Sequence, residues 1–115
     1  MKDKGKIGEE IAVKFLSEKG YKILRRNYRF GHGEIDIIAM DGDILVFVEV
    51  KTRFSDKFGL PEDSVTIKKR KQLKKIAGAF LQFNDVKFSE CRFDVVSIIL
   101  QGRNVQINHI ENAFQ

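Results

Sequence analysis

The chain has 115 residues, enough for one hydrophobic core and too few for two. Apolar residues make up 43%, which argues against wholesale disorder, and 21 basic against 16 acidic side chains leave a net charge of +5 that favours a polyanionic partner. The single cysteine, Cys91, excludes an internal disulfide and a cysteine-built zinc site, and no apolar run approaches the roughly 20 residues that cross a bilayer. In chain order, Ile7, Ile11, Ala12, Phe15 and Leu16 recur at helical spacing, so the first 20 residues read as a helix that Gly20 ends. Tyr21 to Phe30 reads as a strand, followed by the loop Gly31-His32-Gly33 and a second strand from Glu34 to Met40. Asp41-Gly42 predicts a two-residue hairpin turn into a third strand, Ile44 to Arg53, rich in Val and Ile. A loop from Phe54 to Asp63 carries the single proline, Pro61. Ser64 or Thr66 can cap a second helix running to about Phe83, with Ile67, Leu73, Ile76, Ala77, Phe80 and Leu81 on one face. Cys91 to Leu100 is a fourth strand, and Gly102-Arg103-Asn104 turns into a short last one, Val105 to Ile110. The order α-β-β-β-α-β-β predicts a mixed α/β fold.

No repeat, low-complexity segment or linker divides residues 1–115, which predicts one domain. The start, Met1-Lys2-Asp3-Lys4-Gly5-Lys6, has charge but no apolar stretch behind it, so no secretory signal and a cytoplasmic setting are expected.

The central hairpin concentrates the chemistry. With Asp41-Gly42 as the loop, Glu34 faces Glu49 and Asp36 lies diagonal to it. Ile35, Ile37, Ala39, Ile44, Val46, Val48 and Val50 then share one apolar face. The other face runs from Ile38, Met40, Leu45 and Phe47 to Glu34, Asp36, Glu49 and Lys51. Opposed like charges destabilise a sheet unless a cation neutralises them, and hard oxygen ligands suit Mg²⁺ or Mn²⁺. Lys51, on the same face, is placed to hold an attacking water or offset charge on a phosphate. The plain alternative is a solvated sheet end with a Glu34–Lys51 ion pair. Glu9 falls at the edge of the first helix's apolar face, within reach of the sheet, whereas Glu10 points away. Lys68-Lys69-Arg70-Lys71-Gln72-Leu73-Lys74-Lys75 puts six positive charges in eight residues at a helix start, against the helix dipole. A phosphate backbone would relieve that repulsion. Lys69 lies one turn before Leu73 and Ile76, so it is expected to turn toward the sheet.

Gly33-Glu34-Ile35-Asp36-Ile37-Ile38-Ala39, Asp41-Gly42-Asp43 and Val46-Phe47-Val48-Glu49-Val50-Lys51-Thr52-Arg53 resemble the YraN-like family of small bacterial proteins. Gly5-x-x-Gly8-Glu9-x-x-Ala12 and Arg92-Phe93-Asp94-Val95-Val96 match the same family, so the resemblance spans nearly the whole chain. That family is placed in the PD-(D/E)XK nuclease superfamily, near Holliday-junction resolvases and restriction-endonuclease cores. The resemblance implies a restriction-endonuclease-like core and Mg²⁺- or Mn²⁺-dependent hydrolysis of phosphodiester bonds, in structured DNA foremost. It implies Asp36, Glu49 and the Val50 carbonyl as metal ligands, and Lys51 as the lysine that orients the nucleophile. Glu9 resembles the helix-borne acid of the resolvase-like branch, there to hold a second metal or its water. Glu34 is assigned behind the ligands, since three carboxylates would overcharge one small ion. Lys68, Lys69, Arg70, Lys71, Gln72 and Arg53 are the expected nucleic-acid contacts. Ile35 departs from the superfamily's nominal proline. A homodimer would suit a two-fold junction. Two other readings stand beside the enzyme: a non-catalytic nucleic-acid-binding module on this fold, or a subunit active only with protein partners in a DNA-processing complex.

Elsewhere the expectations are structural. Asp94, with Val96 and Ile98 on its face, needs a buried partner such as a loop amide or an arginine. His32 is expected to face solvent, His109 to stand without a constellation, and Cys91 to fill the core. Phe54 and Phe58 are expected to anchor their loop on the core.

Overall fold

The computed structural model describes residues 4–54 and 65–115. Helix α1 spans Lys4–Glu18 and buries Ala12 and Leu16 against the sheet. It stops in the way its sequence predicts. Gly20 takes φ +95, its amide donates to the Ser17 carbonyl at 3.0 Å, and the Tyr21 amide donates to the Leu16 carbonyl at 3.0 Å. These are the two reversed bonds of a Schellman cap, and Tyr21 and Leu16 supply its apolar contact.

Strands β1 (Lys22–Phe30), β2 (Gly33–Asp41), β3 (Ile44–Arg53), β4 (Glu90–Gln101) and β5 (Asn104–Phe114) form one sheet in the order β1-β2-β3-β4-β5. Every pairing is antiparallel except β3 with β4, whose crossover carries helix α2 (Ile67–Phe83). The order α-β-β-β-α-β-β is the expected one, with β5 longer than its sequence suggested. Each helix covers one face of the sheet. On the α1 side lie Ile37, Ala39, Val46, Val48, Val96 and Ile98. On the α2 side Ile38, Leu45, Phe47 and Val95 pack with Leu73, Ile76 and Phe80. Among the described residues, no helix is long and apolar enough to cross a membrane.

The central hairpin departs from expectation in two respects. Its loop is Gly42-Asp43, because Asp41 pairs with Ile44 and Met40 with Leu45. Gly42 alone takes positive φ (+61), the sign pattern of a II′ turn rather than the expected I′. The partner of every β2 residue thus moves by two positions. A shift of two keeps the faces, but it places Glu49 at the level of Asp36 and not of Glu34. The second departure is Ile35, which packs on the α2 side with Ile38 and not with Ile37. The pleat is broken at Asp36, which faces an interruption in β1: Tyr28 pairs with Ile35 and Arg26 with Ile37, while Asn27 between them takes φ 52.

Three smaller expectations also change. Thr66 caps α2, its side chain accepting from the Lys69 amide at 3.1 Å, so Ile67 falls in the first turn and is 71% exposed instead of facing the core. Cys91 is exposed at the start of β4, a strand end that the core does not cover. Phe54 is 63% exposed, where burial on the core was expected. Phe58, Pro61 and Ser64 lie outside the described residues.

Candidate metal centre and nucleic-acid clefts

The site forms where β2 and β3 part. Their Cα pairing stops at Ile37 with Val48. Beyond that point the Val50 amide donates to Asp36 Oδ2 at 2.8 Å, so a side chain takes over the acceptor role of the ladder. Asp36 and Glu49 are 8% and 6% exposed, and their carboxyl groups are hydrogen-bonded to each other. Burial pushes the Asp36 carboxyl up to about 8, helped by the hydrogen bond to Glu49 and its charge, against the Val50 amide. Two buried carboxylates at contact distance cannot both ionise without a counter-charge. A shared proton meets that need, and so would a cation.

Part of the counter-charge is in place. Lys51 Nζ and Lys69 Nζ both lie 3.7 Å from Glu49 Oε2. Lys51 arrives along β3 itself; Lys69 reaches down from the first turn of α2, as its helical position predicts. Glu9 sits on the α1 side, its Oε1 accepting from Asn27 Nδ2 at 2.8 Å, and its charge is felt at Asp36. Gly8 lets α1 come this close: a Cβ there would lie 1.8 Å from Thr52 Oγ1. Glu34 stands apart from the pair, 3.6 Å from Arg29 Nε, and its Oε2 is buried without a hydrogen bond.

Two clefts meet at Arg29 and Glu34. One, of about 470 Å³, lies toward α2 and is lined by Gly31, His32, Gly33, Lys69 and Gln72 as well. The other, of about 280 Å³, lies toward α1 and adds Gly5, Lys6, Glu9 and Asn27. Gly33 has a reason to lack a side chain, because a Cβ there would fall 2.6 Å from Gln72 Nε2. The remaining expected contacts separate. Lys68 and Lys71 are exposed on α2, and Arg53 is half-buried at the end of β3. Arg70 is used locally: its Nε donates to the Val65 carbonyl at 2.9 Å and its guanidinium stands 5.4 Å from the Phe114 ring. His32 is exposed, as expected, and borders the larger cleft.

Among the described residues, no three His, Cys, Asp or Glu side chains close into a cage, so Glu9 does not join Asp36 and Glu49 in one ligand set. The donor chemistry fits Mg²⁺ or Mn²⁺ all the same, because such ions are held by one or two carboxylates and keep their waters. The raised Asp36 carboxyl is the mark of a site with too much negative charge for its own protons.

The sequence reading missed Asn27 and Arg29. An asparagine within an otherwise strand-like run was the available signal, since Asn is depleted in strands and tolerates positive φ. It also misjudged His109. That ring belongs to a second buried cluster at the far end of α1, with its Nε2 2.7 Å from Asp94 Oδ2. Asp94 further accepts from Arg92 Nε at 3.0 Å, the arginine it was expected to need, and from the Asn112 amide at 3.0 Å, which comes from an irregularity within β5 and not from a loop.

The comparisons with known proteins agree with the motif. The model of the uncharacterised protein family UPF0102 matches residues 8–98. A UPF0102 protein of Dictyoglomus turgidum is 48% identical over 115 residues, 98% of each chain. One of Caldicellulosiruptor saccharolyticus is 49% identical over 112 residues, 96% of this chain and 95% of its own. One of Syntrophomonas wolfei is 50% identical over 107 residues, 93% of each. The match takes in Glu9, the hairpin with Asp36, Glu49 and Lys51, and the basic run of α2, and the chain belongs to the UPF0102 (YraN-like) family.

Proposed function

We propose that this protein is a metal-dependent nuclease that hydrolyses phosphodiester bonds in structured DNA. The observation that carries the reading is the buried Asp36–Glu49 pair with Lys51 beside it, joined to the larger cleft through Lys69. Asp36, Glu49 and the Val50 carbonyl would hold Mg²⁺ or Mn²⁺. When bound, the ion supplies a water of lowered pKa and a Lewis acid for the phosphoryl oxygen. Lys51 keeps the nucleophile oriented and offsets charge that develops on the phosphate. Glu9, held by Asn27, orients water on the opposite side of Asp36. Lys68, Lys71 and Arg53 hold the phosphate backbone of the substrate.

The test is cleavage of labelled junction, flap, duplex and single-stranded DNA with Mg²⁺ or Mn²⁺, alongside Asp36→Ala. Cutting by the wild-type chain that falls to background in the variant, with DNA binding kept, is the expected outcome. A variant that cuts as well as wild type overturns the site. Binding by both without cutting moves the protein to the non-catalytic class, or to a subunit that needs a partner.

A further inference from the structure

We propose that Lys69 is an electrostatic latch: its ammonium neutralises Glu49 while the metal site is empty and transfers to a substrate phosphate in the α2-side cleft when a divalent cation binds. This rests on the nuclease reading and adds a coupling between its two ligands.

The starting point is the basic start of α2. Lys68, Lys69, Arg70 and Lys71 occupy its first turns with no acidic residue among them, against the helix dipole. Lys68 and Lys71 face water. Arg70 is turned onto Val65 and Phe114. Lys69 alone reaches the carboxylate pair, at 3.7 Å from Glu49 Oε2. Lys51 Nζ stands at the same distance from the same oxygen. One carboxylate oxygen therefore serves two ammonium groups.

That arrangement suits an empty site and not a filled one. A divalent cation on Glu49 places two positive charges beside both ammonium groups, and the neighbouring Asp36 carboxylate is then engaged by the same ion. Lys51 is tied to the site by the strand that carries Glu49. Lys69 is on another element, has a flexible four-carbon stem, and also lines the cleft of about 470 Å³ with Arg29, His32 and Gln72. Arg29, His32, Lys69 and Gln72 offer a phosphate four donor-bearing side chains beside the one carboxylate of Glu34, which Arg29 pairs, and Lys69 is the member that touches both the cleft and Glu49. Metal entry releases the ammonium, and a phosphate in the cleft receives it. Each ligand thus favours the other by more than direct contact provides, and linkage makes the effect reciprocal.

The experiment is Mn²⁺ titration of the full chain by calorimetry, with and without a DNA oligonucleotide carrying a non-hydrolysable backbone. The variants are Lys69→Met, Lys69→Arg, the α2 surface control Lys74→Met, and Asp36→Ala. Without DNA, Lys69→Met is expected to bind Mn²⁺ about fivefold tighter than wild type or more. Lys69→Arg, which keeps the charge, and Lys74→Met stay near wild type. With DNA, the tightening of Mn²⁺ binding seen in wild type shrinks in Lys69→Met. Unchanged or weaker Mn²⁺ binding in Lys69→Met overturns the latch, as does an equal gain in Lys74→Met, which would be a bulk charge effect. In both of those cases Asp36→Ala still loses Mn²⁺, so the nuclease reading survives. Wild-type binding that is absent, or indifferent to Asp36→Ala, removes that reading and the latch with it.

Discussion

Asp94 is fully buried and ionised, and its surroundings explain how. Burial alone would raise its pKa, but hydrogen bonds from His109, Arg92 and the Asn112 amide outweigh it and hold the carboxyl below its usual range. The cluster also fixes a proton. Lys19 Nζ lies 2.8 Å from His109 Nδ1, and an ammonium can only donate, so Nδ1 accepts and Nε2 donates to Asp94. Arg92 reaches Tyr21, Asp41 and Glu111 as well, so one guanidinium joins α1's cap, the hairpin turn and β5. Asp94→Asn leaves Arg92 and His109 without their buried anion and should destabilise the fold by about 3 kcal/mol at neutral pH. The pH dependence has a definite sign. A carboxyl with a depressed folded pKa contributes stability above its unfolded value, about 4, and loses it as pH falls through the folded value. Denaturant melts from pH 7 downward should therefore show the gap between wild type and Asp94→Asn closing below about pH 4. Parallel curves would mean that the Asp94 charge is not what stabilises the cluster.

At the scale of elements, the close seating of α1 on β3 sets where Glu9 stands. A Cβ at Gly8 would lie 1.8 Å from Thr52 Oγ1, 2.9 Å from its Cβ and 3.1 Å from its Cγ2, so rotating the threonine gives no relief. Gly8→Ala should destabilise the chain by about 1–3 kcal/mol. Adding Thr52→Ala should return part of it, and a double-mutant cycle with no coupling would show that the helix simply lifts away. This contact was not legible in the sequence, because nothing in Gly5-x-x-Gly8 names Thr52 as the neighbour. Element types and faces were legible, since they follow from periodicity and from caps such as Gly20 and Thr66. The hairpin register was not, because Asp41-Gly42-Asp43 offers two glycine-containing loops and only the cross-strand packing selects between them. The acidic cluster survived that error because the slip was two residues, an even number. Ile35 did not, because its placement depends on a break in the pleat that Asn27 and Asp36 make together. His109 was misread for a similar reason: its partners come from β4 and α1, far away in the chain.

At the scale of the molecule, the net charge is +5, and among the described residues the charge is unevenly placed. Asp94 and Arg92 at one end of α1 are internally compensated, while the clefts at the other end are bordered by Arg29, Lys6 and the basic face of α2. A polyanion laid across the exposed lysines of α2 releases counterions in proportion to the phosphates neutralised, whether or not its bonds are cut. DNA binding should therefore weaken steeply with salt, and Lys68→Ala and Lys71→Ala should each lower the slope of log K against log salt by about 1. Sequence preference should stay the same in both variants, because contacts to phosphate position a strand without reading it. Fluorescence anisotropy from low to moderate salt, with Asp36→Ala as the non-cutting background, measures this directly. A flat salt response would move the contact surface off α2. An unchanged slope in both variants, under a steep wild-type response, would place the phosphates in the Arg29 clefts alone, where the strand would pass directly over Glu34.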